Sequence, residues 1–196
     1  RCMFKHEVKN IIFSSTAAVY RDTKYCSEDE DIDPLSPYGK SKLMIEEIIK
    51  DYHKAYGLNY TIFRYFCAAG ATKLHGESRQ WETHLLPNIL DVALGKKNKL
   101  LVYGDNHLTV DGTCIRDYVH VEDIADAHLL ALSNMTNQTY NLGSGYGKSV
   151  LEMVKETEDS LGVEIPYEIV DAREGDPDFL VADIQRAKTQ LGWEPK

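Results

Sequence analysis

Paired cysteines, histidines at metal-binding spacing and long apolar runs are all missing from this sequence. The four cysteines, at positions 2, 26, 67 and 114, form no CxxC pair, which argues against a disulfide framework or a cysteine-based zinc site and favours free thiols. The seven histidines are scattered, so no metal site is predicted. No stretch approaches the roughly 20 apolar residues of a membrane span, and no signal-peptide apolar run opens the chain. We therefore expect a soluble, cytoplasmic protein.

Positive charge is also scarce. The chain of 196 residues has 22 Lys and Arg against 31 Asp and Glu, a formal net charge of −9. Its longest basic cluster is the pair at 96–97, so neither nucleic acid nor an anionic membrane surface is an expected partner. With 43% hydrophobic and 27% charged residues, the composition is that of a globular protein with a sizeable core.

The first third of the chain predicts a strand, a helix and a second strand. Residues 8–13 form a short apolar run that ends in polar residues. Ser36 and Pro37 then mark a helix start, apolar residues recur at helical spacing, and Gly57 marks the helix end. Residues 59–66 follow as a strand rich in β-branched and aromatic residues. This order predicts a parallel α/β layer.

The remaining two thirds of the chain alternate in the same way. Residues 72–82 are polar and irregular, and a loop of this length often covers a site. The sequence contains no repeats and no Pro/Gly-rich linkers, and we place a domain boundary near residue 70. The further predicted elements are a tight turn at 67–70, helices at 85–94, 121–133, 149–161 and 183–191, and strands at 100–103, 139–142 and 165–170.

A tyrosine and a lysine stand four residues apart at the start of the first long helix. Tyr38 and Lys42 therefore project from one helix face. A lysine ammonium next to a phenol favours the phenolate, the form of tyrosine that accepts a proton. The chain contains 12 tyrosines, so the spacing also arises by chance. A second pair, Tyr20 and Lys24, has no helix start beside it and is assigned a structural role.

The context of the first pair favours chemistry. Thr16 follows the first predicted strand, about twenty residues before the helix start. Open α/β sheets bind ligands at the carboxyl ends of their strands. The sequence thus predicts three proton-handling groups, Thr16, Tyr38 and Lys42, at one crevice.

Further motifs follow in order along the chain: RYF at 64–66, GA at 70–71, DGTCIRDYVHV at 111–121, YNLG at 140–143, REGD at 173–176 and LGW at 191–193. Together with Thr16 and the Tyr38–Lys42 pair, this series resembles the extended short-chain dehydrogenase/reductase superfamily, and within it the UDP-glucose 4-epimerases. The resemblance covers nearly the whole chain.

The resemblance implies an α/β fold: the C-terminal part of a Rossmann-type parallel sheet with an interleaved, smaller α/β substrate-binding domain. Residues 1–70 would be a partial NAD-binding domain with the catalytic residues. Residues 71–196 would be mainly the UDP-sugar domain, with segments at about 105–145 returning to the Rossmann part. The implied cofactor is NAD, and the full-length form would be a homodimer.

The resemblance also implies an isomerase that interconverts UDP-glucose and UDP-galactose through a 4-keto intermediate. Tyr38 would take the proton from the sugar 4-hydroxyl, Lys42 would hold the nicotinamide ribose and favour the phenolate, and Thr16 would hydrogen-bond the reacting oxygen. Thr16 could instead be only a turn or capping residue.

Two arginines match residues that grip the substrate diphosphate. These are Arg116 and Arg173, whose planar guanidinium groups suit phosphate oxygens. By the same resemblance Asp176 would contact the uridine ribose, and Leu180 would limit the sugar's 2-substituent.

The remaining implied contacts have core packing as an alternative. Phe66 falls at a cofactor contact, and His84, Leu85 and Tyr103 fall in substrate-binding stretches, but Phe66, Leu85 and Tyr103 could equally be core residues. Cys67 stands where the family usually has a substrate-contacting Asn, which replaces an amide with a weakly hydrogen-bonding thiol.

Two other patterns suggest competing functions. Related 4,6-dehydratases carry an acidic pair after the equivalent Thr, whereas this chain has alanines at 17 and 18, so a dehydratase is disfavoured. Residues 143–149 end in Gly-Lys-Ser like a phosphate loop, but Leu142 stands where the first Gly is required, which favours a strand-to-helix turn. His120 is expected to be a structural residue at a helix start.

The family's glycine-rich, pyrophosphate-binding turn is absent from the 13 glycines of this sequence. The resemblance places the first residues in a middle strand, so we expect that the chain lacks roughly the first third of the full enzyme, is clipped at its carboxyl end and is inactive alone. Alternatives are another UDP-sugar epimerase or decarboxylase, and a noncatalytic nucleotide-sugar-binding fragment.

Overall fold

The chain folds as α/β layers in a computed structural model that describes residues 2–21 and 23–196. The helices are α1 (Cys2–Lys5), α2 (Pro37–Tyr56), α3 (Leu85–Ala93), α4 (Val121–Ser133) and α5 (Val150–Leu161). The strands are β1 (Asn10–Thr16), β2 (Asn59–Tyr65), β3 (Cys67–Ala69), β4 (Leu100–Tyr103), β5 (Ile115–His120), β6 (Gln138–Leu142), β7 (Gly147–Ser149), β8 (Tyr167–Val170) and β9 (Phe179–Leu180). None of the helices in these two ranges is long and apolar enough to cross a membrane.

The central sheet has the order β1–β2–β6, and all of its strands are parallel. Thr16 pairs with Tyr65, and Tyr65 pairs with Leu142, so the three strands end at one edge of the sheet. A parallel pair needs a long crossover connection, which α2 provides between β1 and β2. The predicted α/β fold with a parallel layer is therefore confirmed.

Helix α2 begins and ends at the predicted residues. The Ser36 side chain accepts a hydrogen bond from the Gly39 backbone N–H at 3.0 Å, Pro37 occupies the first turn, and Gly57 ends the helix with a positive φ of 70°. The positive φ favours glycine, which has no Cβ. These local signals determine the position of the helix independently of its packing.

The second group of strands is built around β5. This strand runs parallel to β3 and β9 and antiparallel to β7, while β4 and β8 form a separate parallel pair. The prediction of a tight turn at 67–70 was wrong, because residues 67–69 pair with 118–120. Gly70 follows with φ +89°, and a Cβ there would lie 2.1 Å from the His120 ring.

Other predicted elements fall close to the observed ones. The predicted strand 100–103 and helix 121–133 coincide with β4 and α4. The predicted helix at 183–191 is present in part, as the π-helical segment Ala187–Leu191 that ends at Gly192. The strands β5, β7 and β9 were not predicted, because their short runs lack the alternating pattern of a half-buried strand.

Two clusters of buried apolar residues form the core. The larger one includes Phe63, Tyr140 and Trp193, and draws on segments from residue 17 to 66, 119 to 142 and 182 to 193. The smaller one includes Ile89 and Ile165 and lies among α3, β4 and α5. Residues 182–193, which the sequence assigns to the substrate domain, thus pack in the larger core beside the central sheet.

A buried ion pair joins α2 to the central sheet. Glu46 and Arg64 have side chains that are 0% and 1% exposed. Arg64 donates from Nη2 to Glu46 Oε2 at 2.7 Å and from Nε to Oε1 at 3.1 Å, while Ser15 of β1 donates its hydroxyl to the same carboxylate. Bidentate pairing of this kind offsets the cost of taking both charges out of water.

We expect Glu46→Gln to lower the free energy of unfolding by about 3–5 kcal/mol, because it leaves the Arg64 charge buried without a counterion. The measurement is urea denaturation of the intact protein, followed by circular dichroism. Glu47→Gln is the matched control: this neighbouring carboxylate is exposed, contacts Lys50, and should contribute at most about 1 kcal/mol. Equal losses in the two variants would contradict the prediction.

Candidate active site

The Tyr38–Lys42 pair lies across the carboxyl half of β1. Lys42 Nζ donates a hydrogen bond to the Ser14 carbonyl oxygen at 2.8 Å and lies 5.1 Å from the centre of the Phe13 ring. The same ammonium is 5.8 Å from the centre of the Tyr38 ring. Tyr38 is 56% exposed, so its phenol is accessible to a ligand while it remains beside the lysine charge.

A glycine brings this helix start against the end of β1. A Cβ at Gly39 would lie 2.1 Å from the carbonyl oxygen of Ala18. Ala18 belongs to a single 3-10 turn, Ala17–Val19, that directly follows β1. Any larger residue at position 39 would push the first turn of α2, and Tyr38 with it, away from the sheet edge.

Thr16 is the last residue of β1, and its side chain caps the 3-10 turn that follows. Its Oγ1 accepts a hydrogen bond from the Ala18 backbone N–H at 3.2 Å. The capping role foreseen as the alternative is therefore real. A hydroxyl that accepts one hydrogen bond still has its own proton to donate, so the cap does not prevent contact with a ligand oxygen.

A second cluster of predicted site residues forms around β5 and the loop after β8. Arg116 Nη2 pairs with Asp176 Oδ1, and Arg116 Nη1 also donates to the Ile115 carbonyl at 2.7 Å. The Arg173 guanidinium lies 4.0 Å from the centre of the Tyr103 ring, a cation–π distance. The backbone N–H of Asp176 donates to the Arg173 carbonyl at 3.2 Å, which connects the two arginines.

Two further predicted residues border this cluster. Leu180 of β9 pairs in register with Arg116. Cys67 of β3 pairs with Tyr118 of β5 and follows the last residue of β2 after a single residue. Burial raises the pKa of the Cys67 thiol to about 11, although the nearby Arg116 charge opposes the shift. Cys67 is therefore a neutral thiol near pH 7.

Three predicted residues lie in other surroundings. The Phe66 ring is 6% exposed and lies 6.4 Å from the Tyr20 ring, so it is a core side chain. His84 precedes α3, with Nδ1 3.0 Å from Glu77 Oε1, and Leu85 packs against the smaller core. Within residues 2–21 and 23–196, no hydrogen bond or salt bridge joins them to Arg116 or Arg173.

Asp117 has a central structural role that the sequence did not indicate. Its buried carboxylate accepts hydrogen bonds from the backbone N–H groups of Ser144 (2.6 Å), Gly145 (3.0 Å) and Ala182 (3.0 Å), and from the Ser144 hydroxyl (2.7 Å). Burial raises the pKa of Asp117, and these donors oppose the shift. The only available signal was its place beside Arg116 in the 111–121 motif.

The same contacts explain the phosphate-loop-like segment at 143–149. Its free N–H groups bind a carboxylate of this chain, and a Cβ at Gly143 would lie 2.5 Å from Asp117 Oδ2. Ser149 caps α5 in a capping box with Glu152. The segment is a strand-to-helix turn, as the mismatch at Leu142 suggests.

The residues assigned structural roles have them. Tyr20 is 4% exposed, donates its hydroxyl proton to Asn141 Oδ1 at 2.7 Å and accepts from Arg64 Nη1 at 2.9 Å. Lys24 lies elsewhere, with Nζ 5.9 Å from the centre of the Phe179 ring. His120 caps α4, with Nδ1 accepting from the Glu122 N–H.

Comparison with known proteins gives a consistent set of relatives. Residues 1–143 match the model of the NAD dependent epimerase/dehydratase family. The UDP-glucose 4-epimerase of Lactobacillus helveticus is 46% identical over 96% of this chain and 60% of its own length. That of Halalkalibacterium halodurans is 44% identical over 99% of this chain and 60% of its own length.

A solved structure has a similar fold. The UDP-glucose 4-epimerase from Bifidobacterium longum, in complex with NAD+ and UDP, aligns with a TM-score of 0.94 at 39% identity, over 99% of this chain and 61% of that chain. The chain therefore spans about three fifths of the length of the relatives that it matches.

We expect Cys67 to react with iodoacetamide much more slowly than Cys2. Only the thiolate reacts, and a pKa of about 11 leaves about 0.1% of Cys67 as thiolate at pH 8. Cys2 is exposed. Below the pKa the thiolate fraction rises tenfold per pH unit, so the rate of alkylation of Cys67 should also increase about tenfold per pH unit up to that pKa. Peptide mass spectrometry measures both rates, and protein unfolded in urea is the control. Equal rates in the folded protein would contradict the prediction.

Proposed function

The chain belongs to the NAD dependent epimerase/dehydratase family, and we propose that it carries the catalytic and substrate-binding residues of a UDP-glucose 4-epimerase. The intact protein would interconvert UDP-glucose and UDP-galactose. The observation that carries the proposal is the exposed Tyr38 phenol held beside the Lys42 ammonium at the carboxyl edge of a parallel sheet.

The residues at this edge suit the nicotinamide end of NAD. The accessible phenol and the ammonium offer hydrogen bonds to a ribose hydroxyl, and the carboxyl edge of a parallel sheet is where dinucleotides bind. When bound, NAD would supply the hydride chemistry at the sugar C4. Tyr38 and Lys42 are the residues we assign to hold it, and Phe66 is a further expected contact whose ring lies in the core.

Tyr38 would act as the base. It would take the proton of the sugar 4-hydroxyl and return it when the configuration at C4 has been inverted. The Lys42 ammonium lies 5.8 Å from the centre of the Tyr38 ring, and its hydrogen bond to the Ser14 carbonyl oxygen holds it there. Thr16 would donate its free hydroxyl proton to the reacting oxygen.

The residues after Thr16 support epimerisation over dehydration. Loss of water from the sugar would need an acid and a base next to Thr16, whereas Ala17 is an apolar residue that is 2% exposed. Epimerisation needs neither group. Analysis of the products formed from UDP-glucose separates this function from that of another UDP-sugar epimerase or decarboxylase.

The second cluster would bind the nucleotide. Arg116 and Arg173 suit a diphosphate, and the Asp176 carboxylate would accept a hydrogen bond from a ribose hydroxyl. Arg116 is paired with Asp176, so on diphosphate binding the N–H groups of the guanidinium would be shared between the carboxylate and the phosphate oxygens. Leu180 borders Arg116 and would face the sugar's 2-substituent. Cys67, a neutral thiol, would form weaker hydrogen bonds than the amide it replaces.

Other substrate contacts and the assembly belong to the same proposal. His84, Leu85 and Tyr103 would border the substrate, and Tyr103 already stacks on Arg173. A homodimer is supported by exposed apolar side chains on α2, including Met44 and Ile48. The free cysteines support a cytoplasmic location.

We expect Tyr38→Phe in the intact protein to lower epimerisation at least about 10³-fold, because phenylalanine has nearly the same shape but no phenolic oxygen to accept the proton. The matched control is Tyr56→Phe, an exposed tyrosine at the other end of the same helix. Its activity should equal that of the wild type. The assay follows the conversion of UDP-galactose to UDP-glucose by chromatography.

Retained binding of UDP by Tyr38→Phe, measured by calorimetry, would show that the site is intact. Undiminished turnover in this variant would remove Tyr38 as the base and refute the proposed mechanism.

A further inference from the structure

Three side chains with metal-binding atoms meet beside the second cluster. His107 lies in the loop after β4, Cys114 precedes β5, and Asp176 lies between β8 and β9. One ring nitrogen of His107, the Cys114 sulfur and one Asp176 carboxylate oxygen all lie within 4.8 Å of one another. Ligand atoms on tetrahedral zinc are about 3.5 Å apart, so shifts of about 1 Å would bring the three into coordination distance.

The histidine is held as metal-binding histidines are held. His107 Nδ1 lies 2.8 Å from Asp178 Oδ1, which directs its proton to the carboxylate and leaves the lone pair on Nε2. The His107 side chain is only 6% exposed. Its Nε2 is buried and has no hydrogen-bond partner in the part of the chain that the structure describes.

A buried nitrogen that has lost its water and gained no partner is unfavourable, and a ligand bound at Nε2 would remove that cost. Gly104 lies against this nitrogen: a Cβ there would be 3.3 Å from His107 Nε2 and 2.8 Å from the Ala172 Cβ, which is the closer contact. The positive φ of Gly104, +83°, also favours glycine at this position.

The Cys114 sulfur and one Asp176 carboxylate oxygen are also available to a metal ion. Cys114 is 8% exposed, so its sulfur is protected from bulk solvent. The ion pair of Asp176 with Arg116 uses Oδ1, and Oδ2 makes no hydrogen bond within residues 2–21 and 23–196. Arg116 would therefore orient the carboxylate while its second oxygen stays available for a cation.

We propose that His107, Cys114 and Asp176 form a binding site for Zn²⁺, with a fourth position open to water. The imidazole, thiolate and carboxylate are all zinc ligands, whereas Mg²⁺ and Ca²⁺ prefer oxygen. On binding, the Cys114 proton leaves to solvent and the sulfur bonds to the metal. The Cys114 thiolate and the Asp176 and Asp178 carboxylates carry three negative charges, which balance the two positive charges of the ion and the one of Arg116. The proposal does not rest on the proposed epimerase activity, although Asp176 belongs to both sites, so a bound nucleotide and Zn²⁺ would compete for this carboxylate.

The test is a Co²⁺ titration of the intact protein without nucleotide, followed by displacement with Zn²⁺. We expect one Co²⁺ per chain, with visible bands of tetrahedral cobalt and a near-ultraviolet charge-transfer band from thiolate. In Cys114→Ser the charge-transfer band should disappear and the zinc affinity should fall at least about tenfold. Cys2→Ser, which removes an exposed thiol, is the control and should match the wild type.

A second measurement does not depend on a variant that could misfold. Zinc K-edge X-ray absorption of the loaded wild type should show one sulfur at about 2.3 Å and nitrogen or oxygen ligands at about 2.0 Å.

A further variant tests the role of the residue that holds His107. Asp178→Asn should lower zinc affinity about 10- to 100-fold but keep the charge-transfer band, because Asp178 positions His107 and does not touch the metal. A zinc shell without sulfur, or with more than one, overturns the proposal, as does a band that persists in Cys114→Ser.

Discussion

The buried ion pair between Glu46 and Arg64 determines how α2 lies on the sheet. Glu46 is one helical turn after Lys42, so both side chains leave α2 on the same face. When the carboxylate binds Arg64 on β2 and the Ser15 hydroxyl on β1, the helix can neither rotate nor slide without exposing a charge to apolar surroundings. The ion pair therefore also directs Lys42 toward β1. The network continues from Arg64 to Tyr20 and from Tyr20 to Asn141 of β6.

Three glycines allow close contacts that position neighbouring segments against the sheet and against one another. Gly39 lets the first turn of α2 touch the Ala18 carbonyl, Gly70 leaves room for the His120 ring, and Gly143 lets Asp117 reach the loop after β6. In each case a Cβ would lie 2.1 to 2.5 Å from a neighbouring atom. Gly143, in the segment that resembles a phosphate loop, is thus needed so that a carboxylate of the chain itself can approach the backbone.

The residues around β5 serve more than one purpose. Arg116 pairs with Asp176, and the adjacent Asp117 secures the 143–145 loop and the backbone at Ala182. Cys114, a residue of the smaller core, and His107 lie beside the same charged cluster. A change in the ionic state of one member will therefore be felt by the others, because buried charges are poorly screened. The charged side chains at the nucleotide end of the proposed site are therefore coupled to one another.

Short-range signals in the sequence determined helix α2, its caps at Ser36 and Gly57, and the shared face of Tyr38 and Lys42, because these depend only on residues a few positions apart. The strand–helix–strand order likewise predicted the parallel layer. Only the tertiary structure decided that 67–69 is a strand, that Arg64 is buried against Glu46, and that Asp117 binds the 143–145 loop. The meeting of His107, Cys114 and Asp176 is of the same kind. These contacts join residues far apart in sequence, and no local periodicity or spacing records which distant segments the folded chain brings together.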